Sequence, residues 1–192
     1  NPEQRARAHD RFGIAFVEGW GMTETGRSPF NTVEPRHLET NTIGRSEPGL
    51  EMTILDGDDN PLPPGSVGEL CVRHSEATPR RGFFSGYLRD PEATEQAWRG
   101  GWFHTGDSAW QHADGAFVFV DRLKHLVRRA GENISAAEVE AVLTTSGLVK
   151  QAAVVAARDP IRDEEVAAFI VTDDGATASR ELAQDIFQFC RE

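Results

Sequence analysis

The sequence predicts an α+β protein whose strand-rich first part is followed by a shorter part that alternates helix and strand. Two observations support this fold class. Between residues 50 and 120, short alternating runs are separated by turn clusters rich in Asp, Gly and Pro, as in antiparallel hairpins. From about residue 121 onward, capped helical segments alternate with apolar runs of strand length. Strands and helices segregated along the chain in this way are typical of α+β proteins.

The first part begins with three segments whose signals are local. Residues 3–11 are polar and charged and are expected to form a frayed helix. Residues 14–17 are apolar and have the length of a buried strand. Residues 27–44 contain Pro, Asn, Thr and Arg without periodicity, so we expect an exposed loop there.

Four strands and one helix are predicted through the rest of this part. Asp90 is a suitable helix cap, and Pro91 fits the first helical position because its fixed φ is already helical. The helix should run through Trp98 and end at Gly100 and Gly101, since glycine tolerates the left-handed conformation that ends helices. The predicted strands cover residues 52–55, 68–73, 102–105 and 117–120.

The second part starts with a helix that the sequence caps. Ser135 and Glu138 have the spacing of a capping box. The helix that follows carries Val139, Val142 and Leu143 on one face. Two apolar strands and a final helix complete the prediction, over residues 149–156, 166–171 and 179–190.

Composition excludes several classes of protein. With 192 residues, 39% hydrophobic and 27% charged, the chain is an ordinary globular one and not a disordered one. Its net charge of −11 argues against a nucleic-acid partner, since such proteins need clustered positive charge. No apolar run approaches the roughly 20 residues that span a bilayer. Cys71 and Cys190 are far apart without metal-ligand spacing, so we expect a reduced, cytoplasmic protein.

Three segments carry the chemistry: residues 19–26 (GWGMTETG), residues 101–107 (GWFHTGD), and residues 121–124 (DRLK) followed by residues 131–135 (GENIS) and Glu138. In this order and spacing they resemble the adenylate-forming superfamily of acyl-CoA synthetases, luciferases and peptide-synthetase adenylation domains. The resemblance covers nearly the whole chain. It implies a two-step ligase: a small carboxylic acid and ATP give an acyl-adenylate and pyrophosphate, and CoA then displaces AMP.

The resemblance assigns the first segment to the nucleotide and its metal. Gly19 and Gly21 let the backbone pass close to a flat ligand, and Trp20, where the family usually has Tyr, would stack on adenine. Thr23 would face the α-phosphate. Glu24 would be a ligand of Mg²⁺, which prefers one or two carboxylates together with phosphates. Taken alone, the pattern also fits a Gly-rich turn with a packed Trp.

In the second segment the resemblance singles out Asp107. A carboxylate can accept hydrogen bonds from both ribose hydroxyls, as the acidic residue of dinucleotide folds does. The alternative is a turn Asp that follows Gly106. His104 is expected to be structural, because it lies in a predicted strand and nothing in the sequence supplies a catalytic partner for it.

The third segment is assigned to domain motion and to CoA. Arg122 could reach ribose or phosphate oxygens with its planar fork. Lys124 aligns with the hinge, where members of the superfamily carry Asp or Lys and about which the small mobile domain rotates between the two half-reactions. Gly131 falls where the backbone lines the tunnel for the pantetheine of CoA. The alternative for residues 122–129 is a solvated basic face.

The residues within the motifs favour one branch of the superfamily. Met22 follows Gly21 where adenylation domains usually have Pro, and residues 131–135 match acyl-CoA ligases. Residues 159–164 (DPIRDE) and 187–190 (FQFC) look most like the crotonobetaine/carnitine-CoA ligase group.

Two parts of the family pattern are absent from the sequence, namely the Ser/Thr/Gly-rich phosphate loop and the terminal catalytic lysine. Lys150 does not replace that lysine, because it begins an apolar strand. We therefore expect residues 1–121 to be the β-rich closing portion of the large AMP-binding domain and residues 122–192 to be most of the small C-terminal domain. Such a fragment should be inactive alone, and we expect it to show exposed hydrophobic surface or self-association, for example as a homo-oligomer. The alternative is a truncated, non-catalytic nucleotide-binding or subunit-interaction protein.

Overall fold

The computed structural model describes residues 2–172 and 178–191. The chain divides into two compact units, Asn1–Val120 and Asp121–Glu192, and each has its own hydrophobic core. The described residues contain four α-helices and nine strands, so the predicted α+β class is confirmed. None of the helices within these described ranges combines the length and the apolar character that crossing a membrane requires.

The first unit is built on a five-stranded sheet in the order β1–β5–β4–β3–β2. The pairs β1–β5, β2–β3 and β3–β4 are antiparallel. Leu70, Val72, Phe103 and Phe117 are completely buried in the core of this unit. The elements are α1 (Pro2–Phe12), β1 (Thr42–Arg45), β2 (Glu51–Leu55), β3 (Gly68–Arg73), α2 (Pro91–Ala97), β4 (Phe103–Gln111) and β5 (Ala116–Arg122).

Helix α2 begins where its sequence signals place it. Oδ1 of Asp90 accepts a hydrogen bond of 2.9 Å from the backbone N–H of Ala93, and Pro91 is the first helical residue. Trp98 caps the other end and is followed by a short 3-10 turn in which Gly100 has a φ of 64°. The cap, the proline and the glycine are local signals, and this helix could be predicted from them alone.

The second unit is a four-stranded sheet in the order β7–β6–β9–β8 with two helices. Ser135 caps the first helix by accepting from the N–H of Glu138, and Ser179 caps the second by accepting from the N–H of Leu182. The elements are β6 (Leu126–Arg129), β7 (Glu132–Ser135), α3 (Ala136–Thr145), β8 (Val149–Asp159), β9 (Asp163–Thr172) and α4 (Arg180–Phe189).

The prediction of a buried strand over residues 14–17 is wrong. These residues form no strand, and the side chains of Ile14 and Val17 are about half exposed. The backbone carbonyl of Phe16 accepts a hydrogen bond of 2.5 Å from the guanidinium of Arg36. An apolar run becomes a buried strand only where a neighbouring strand pairs with it, and that partner cannot be read from the run itself.

The exposed loop predicted over residues 27–44 is wrong in part. Strand β1 begins at Thr42, and Thr42 and Asn31 are fully buried. Strands β6 and β7 were not predicted at all. Each has only four residues, and the charged side chains at Arg128, Arg129 and Glu132 conceal the alternation that marks a strand.

Candidate functional site

The segment over residues 19–26 is held against the chain that follows it. The backbone N–H of Trp20 donates to the carbonyl of Pro29, and that of Asn31 donates to the carbonyl of Glu18. A Cβ atom at Gly19 would lie 2.7 Å from the ring of Phe30. A larger residue at this position would therefore have to displace the exposed ring of Phe30.

A shallow cavity of about 580 Å³ opens beside this segment. Four of the predicted site residues contribute to it, which brings their backbone and side chains to one surface. The cavity is lined by Gly19, Trp20, Gly21, Met22, Thr23, Ser28 and Phe30.

Trp20 and Asp107, predicted from two different motifs, are in direct contact. The indole Nε1–H of Trp20 donates a hydrogen bond of 2.7 Å to Oδ2 of Asp107. Both side chains are buried, with Trp20 7% and Asp107 2% exposed. The structure therefore joins the residue predicted to contact adenine to the residue predicted to contact ribose.

Glu24 is hydrogen-bonded to Phe84 and Tyr87, which the sequence did not connect with it. Its backbone carbonyl accepts from the N–H of Phe84 at 2.8 Å, and its Oε1 accepts from the hydroxyl of Tyr87 at 3.3 Å. Burial raises the pKa of Tyr87, and the negative charge of Glu24 raises it further. The phenol therefore stays protonated and donates to the carboxylate at neutral pH. Thr23, which directly precedes Glu24, is exposed.

His104 lies in β4, and the structure supports the prediction of a structural role. It is 8% exposed, and its Nδ1 lies 2.8 Å from Oε2 of Glu69 and 3.4 Å from Sγ of Cys71. Sequence reasoning missed Glu69 as a partner. The available signal was a carboxylate directly before the apolar residues 70–72 of β3.

Glu69, Cys71 and His104 are also a set of metal-ligand types, since one ligand atom of each lies within 4.8 Å of the others. Burial raises the pKa of the Cys71 thiol far above its ordinary value. One observation counts against a metal there. The guanidinium of Arg99 donates to Oε2 of Glu69 at 3.3 Å, so a positive charge already faces that oxygen.

The second unit holds the remaining predicted residues. Arg122 and Lys124 are exposed, and Lys124 lies in a 3-10 turn, Leu123–His125, that connects β5 to β6. Gly131 is exposed in the turn between β6 and β7, with a φ of 88°.

Asp121, next to these residues, was not predicted as part of the site. It is 5% exposed. Its Oδ2 accepts from the hydroxyl of Ser135 at 2.7 Å and from the N–H of Ala137 at 3.2 Å, and its Oδ1 accepts from the N–H of Arg122 at 2.7 Å. Asp121 therefore ties the backbone before the predicted hinge to the start of α3.

Comparison with known proteins gives similarity to AMP-binding enzymes in both parts of the chain. The family model described as AMP-binding enzyme matches residues 1–88, and the model described as AMP-binding enzyme C-terminal domain matches residues 138–192. The chain is 37% identical over 182 residues to a crotonobetaine/carnitine–CoA ligase of Salmonella paratyphi B, a match that covers 94% of this chain and 34% of that protein. The chain thus spans about a third of the length of the curated relatives that it matches.

Solved structures share the fold. ATP-bound MatB from Rhodopseudomonas palustris matches with a TM-score of 0.75 at 28% identity, over 97% of this chain and 36% of that one. The amide bond synthetase McbA from Marinactinospora thermotolerans matches with a TM-score of 0.72 at 34% identity, over 97% of this chain and 37% of that one. With both family models matched and the motifs in order, the chain belongs to the AMP-binding, adenylate-forming family of enzymes.

Proposed function

We propose that the chain is part of an ATP-dependent carboxylic acid–CoA ligase, which forms an acyl-adenylate and then a thioester. The observation that supports this most is the hydrogen bond between Trp20 and Asp107. The two side chains, one suited to a base and the other to a ribose, are thus hydrogen-bond partners, and Trp20 also lines an open cavity together with Thr23.

The proposed nucleotide contacts follow from the chemistry of these side chains. Asp107 accepts hydrogen bonds from the ribose hydroxyls, and Trp20 offers its ring to the adenine. Thr23 offers a hydroxyl and a backbone N–H to the α-phosphate. Because Trp20 and Asp107 are already held by their mutual hydrogen bond, they can receive the nucleoside without reorganising.

Glu24 fits the Mg²⁺ that accompanies ATP. The hydroxyl of Tyr87 orients its carboxylate but is neutral, so it does not cancel the negative charge. A single carboxylate together with substrate phosphates is the ligand set that Mg²⁺ prefers. The ion would offset negative charge on the phosphates during adenylation.

The second unit would serve both half-reactions. Arg122 has the planar fork that suits ribose or phosphate oxygens. Lys124 is proposed as the hinge, since hinge residues lie at the ends of elements and Lys124 lies between two strands. Gly131 is proposed to line the path of the CoA pantetheine. The names of the curated relatives favour crotonobetaine or carnitine as the acid.

The test is ATP-dependent pyrophosphate release by the whole protein, with crotonobetaine and carnitine compared against unrelated short carboxylic acids. Glu24→Gln should raise the Mg²⁺ concentration that half-saturates the reaction, because a hard anionic ligand is lost. Asp107→Ala should raise the KM for ATP about tenfold, as expected for losing a charged hydrogen-bond partner.

Glu76→Gln is the matched control, since Glu76 is an exposed carboxylate in a loop of the same unit. It should leave both constants unchanged. If pyrophosphate release is the same in all three variants, the nucleotide site is wrongly assigned. ATP binding without pyrophosphate release in the unaltered whole protein, with every acid tried, would favour a non-catalytic nucleotide-binding protein.

A further inference from the structure

Strand β4 carries a bulge at the proposed ribose-binding residue. In its pairing with β3, Ser108 faces Glu69 and His104 faces Cys71. Three residues of β4, 105–107, therefore stand opposite the single residue Leu70 of β3. Bulges of this kind re-aim a side chain, and they are frequent beside active sites.

The bulge is held by hydrogen bonds from β3. The hydroxyl of Thr105 donates to the carbonyl of Leu70 at 2.6 Å and accepts from the N–H of Asp107 at 3.1 Å. The N–H of Gly106 donates to Oε1 of Glu69 at 3.0 Å. Gly106 has a φ of 71°, a left-handed conformation that glycine adopts without strain. Glu69 thus fixes the amide directly before Asp107.

Glu69 is itself immobilised through its second carboxylate oxygen. Oε2 lies 2.8 Å from Nδ1 of His104 and 3.3 Å from the guanidinium of Arg99. Arg99 is in turn paired with Asp59 at 3.2 Å. With its side chain only 14% exposed, Glu69 has little freedom to move. Oε1 of Glu69 therefore binds the bulge, and Oε2 binds the His104 and Arg99 side chains that hold Glu69 in place.

We propose that Glu69 is a positioning residue for nucleotide binding, which holds the bulge of β4 so that Asp107 presents its carboxylate to the ribose. The inference rests on the proposed function, because it assumes that Asp107 contacts the ribose hydroxyls. Glu69 itself touches no substrate. Its effect is transmitted through the N–H of Gly106 and the backbone that follows.

The test compares ATP with 2′,3′-dideoxy-ATP, which lacks both ribose hydroxyls, in binding to the whole protein. Glu69→Ala releases the Gly106 amide and should weaken the binding of ATP about tenfold, as for a lost hydrogen bond to a charged group. The same variant should change the binding of dideoxy-ATP less than about twofold, since that nucleotide has no hydroxyl for Asp107 to accept from. A purely structural role would weaken both nucleotides alike.

Two further variants separate the outcomes. Asp107→Ala tests the proposed function itself. It should likewise weaken the binding of ATP more than the binding of dideoxy-ATP. Glu51→Ala is the matched control, because it removes a Glu–Arg pair, with Arg73, from the same sheet. It should affect neither nucleotide.

If Asp107→Ala weakens both nucleotides equally, the proposed ribose contact fails, and the inference fails with it. If Asp107→Ala distinguishes them and Glu69→Ala does not, only the positioning role is overturned. Should Glu69→Ala not fold, Glu69→Gln takes its place. Its amide oxygen can still accept from Gly106, but it lacks the charge that holds His104 and Arg99, so an intermediate, ATP-specific loss is expected and an equal loss overturns the proposal.

Discussion

The indole N–H of Trp20 donates a hydrogen bond of 2.7 Å to the carboxylate of Asp107 across 87 positions of the sequence, and both side chains are buried. An aromatic ring chosen only to stack on a base would not need this N–H, and a Tyr or Phe ring does not have it. The bond gives Trp20 a second task, which is to fix one oxygen of Asp107.

Trp20→Phe tests that second task, since it keeps a ring but removes the N–H. Because a buried carboxylate loses a donor, ATP should bind about 5- to 50-fold more weakly in the whole protein. Trp98→Phe is the matched control, because Trp98 is buried in the same core and is not the partner of Asp107. Equal weakening in both variants would assign the effect to lost packing.

Tyr87→Phe tests whether the Tyr87 hydroxyl orients the proposed metal ligand, Glu24. The ring would still pack edge-on against Phe84, at a centroid distance of 4.8 Å, so the fold should be kept. We expect the half-saturating Mg²⁺ concentration for pyrophosphate release to rise about fivefold, the value of one modest hydrogen bond, while the rate at saturating Mg²⁺ stays the same. Phe84→Leu alters the packing and not the hydroxyl, and it should leave the Mg²⁺ dependence unchanged. A lower maximal rate with unaltered Mg²⁺ dependence would contradict an orienting role.

The elements that could be predicted are those that a short stretch of sequence specifies. The caps at Asp90 and Ser179 satisfy helix N–H groups a few residues away, and they mark helix starts wherever the rest of the chain lies. The prediction over residues 14–17 failed because burial of an apolar run depends on a partner strand. The contact of Glu69 with Gly106 depends on the register of β3 against β4 and on the bulge between them. No local pattern encodes a register, so this part of the site needed the structure.

Lys124→Pro tests the proposed hinge. Proline fixes φ near −65° and has no amide donor, so it should restrict rotation at this position. We expect adenylation, measured as pyrophosphate release, to persist and thioester formation from preformed acyl-adenylate to fall at least about tenfold, since only one half-reaction requires the rotated arrangement. Lys124→Ala keeps the backbone freedom, and it should spare both half-reactions. An equal loss of both steps in Lys124→Pro would indicate misfolding.

Asp114 predicts a pH dependence of stability in the first unit. Hydrogen bonds from His37, from the N–H of Ala116 and from Arg45 hold the pKa of this carboxyl well below its ordinary value. The folded protein therefore favours the ionised form. The resulting stabilisation is complete above the ordinary Asp pKa of 3.8 and is lost as the pH falls below it.

Asp114→Asn should consequently lower the urea midpoint of unfolding at about pH 6 and have a smaller effect at about pH 3. Asp58→Asn is the control, since Asp58 is an exposed turn residue of the same unit, and it should change the urea midpoint little. A penalty for Asp114→Asn that is the same at both pH values would show that charge on Asp114 contributes nothing.

The start of α3 should be stabilised jointly by Asp121 and Ser135. The Ser135 hydroxyl accepts from the N–H of Glu138 at 3.2 Å while it donates to Oδ2 of Asp121 at 2.7 Å, and that same oxygen accepts from the N–H of Ala137 at 3.2 Å. A negative charge at this place also interacts favourably with the helix dipole. Each side chain thus satisfies one N–H of the first turn and orients the other side chain.

Ser135→Ala should therefore lower the free energy of unfolding by about 1 kcal/mol, as for the loss of a helix cap. Asp121→Ala should cost about 2 kcal/mol, because buried donors are left without their acceptor. Since the two residues share a hydrogen bond, the double variant should lose less than the sum, with a coupling of at least about 0.5 kcal/mol in urea unfolding. Strictly additive losses would contradict a shared cap. The other oxygen of Asp121 accepts from the N–H of Arg122. Additive losses would therefore also mean that the position of Arg122 does not depend on the start of α3.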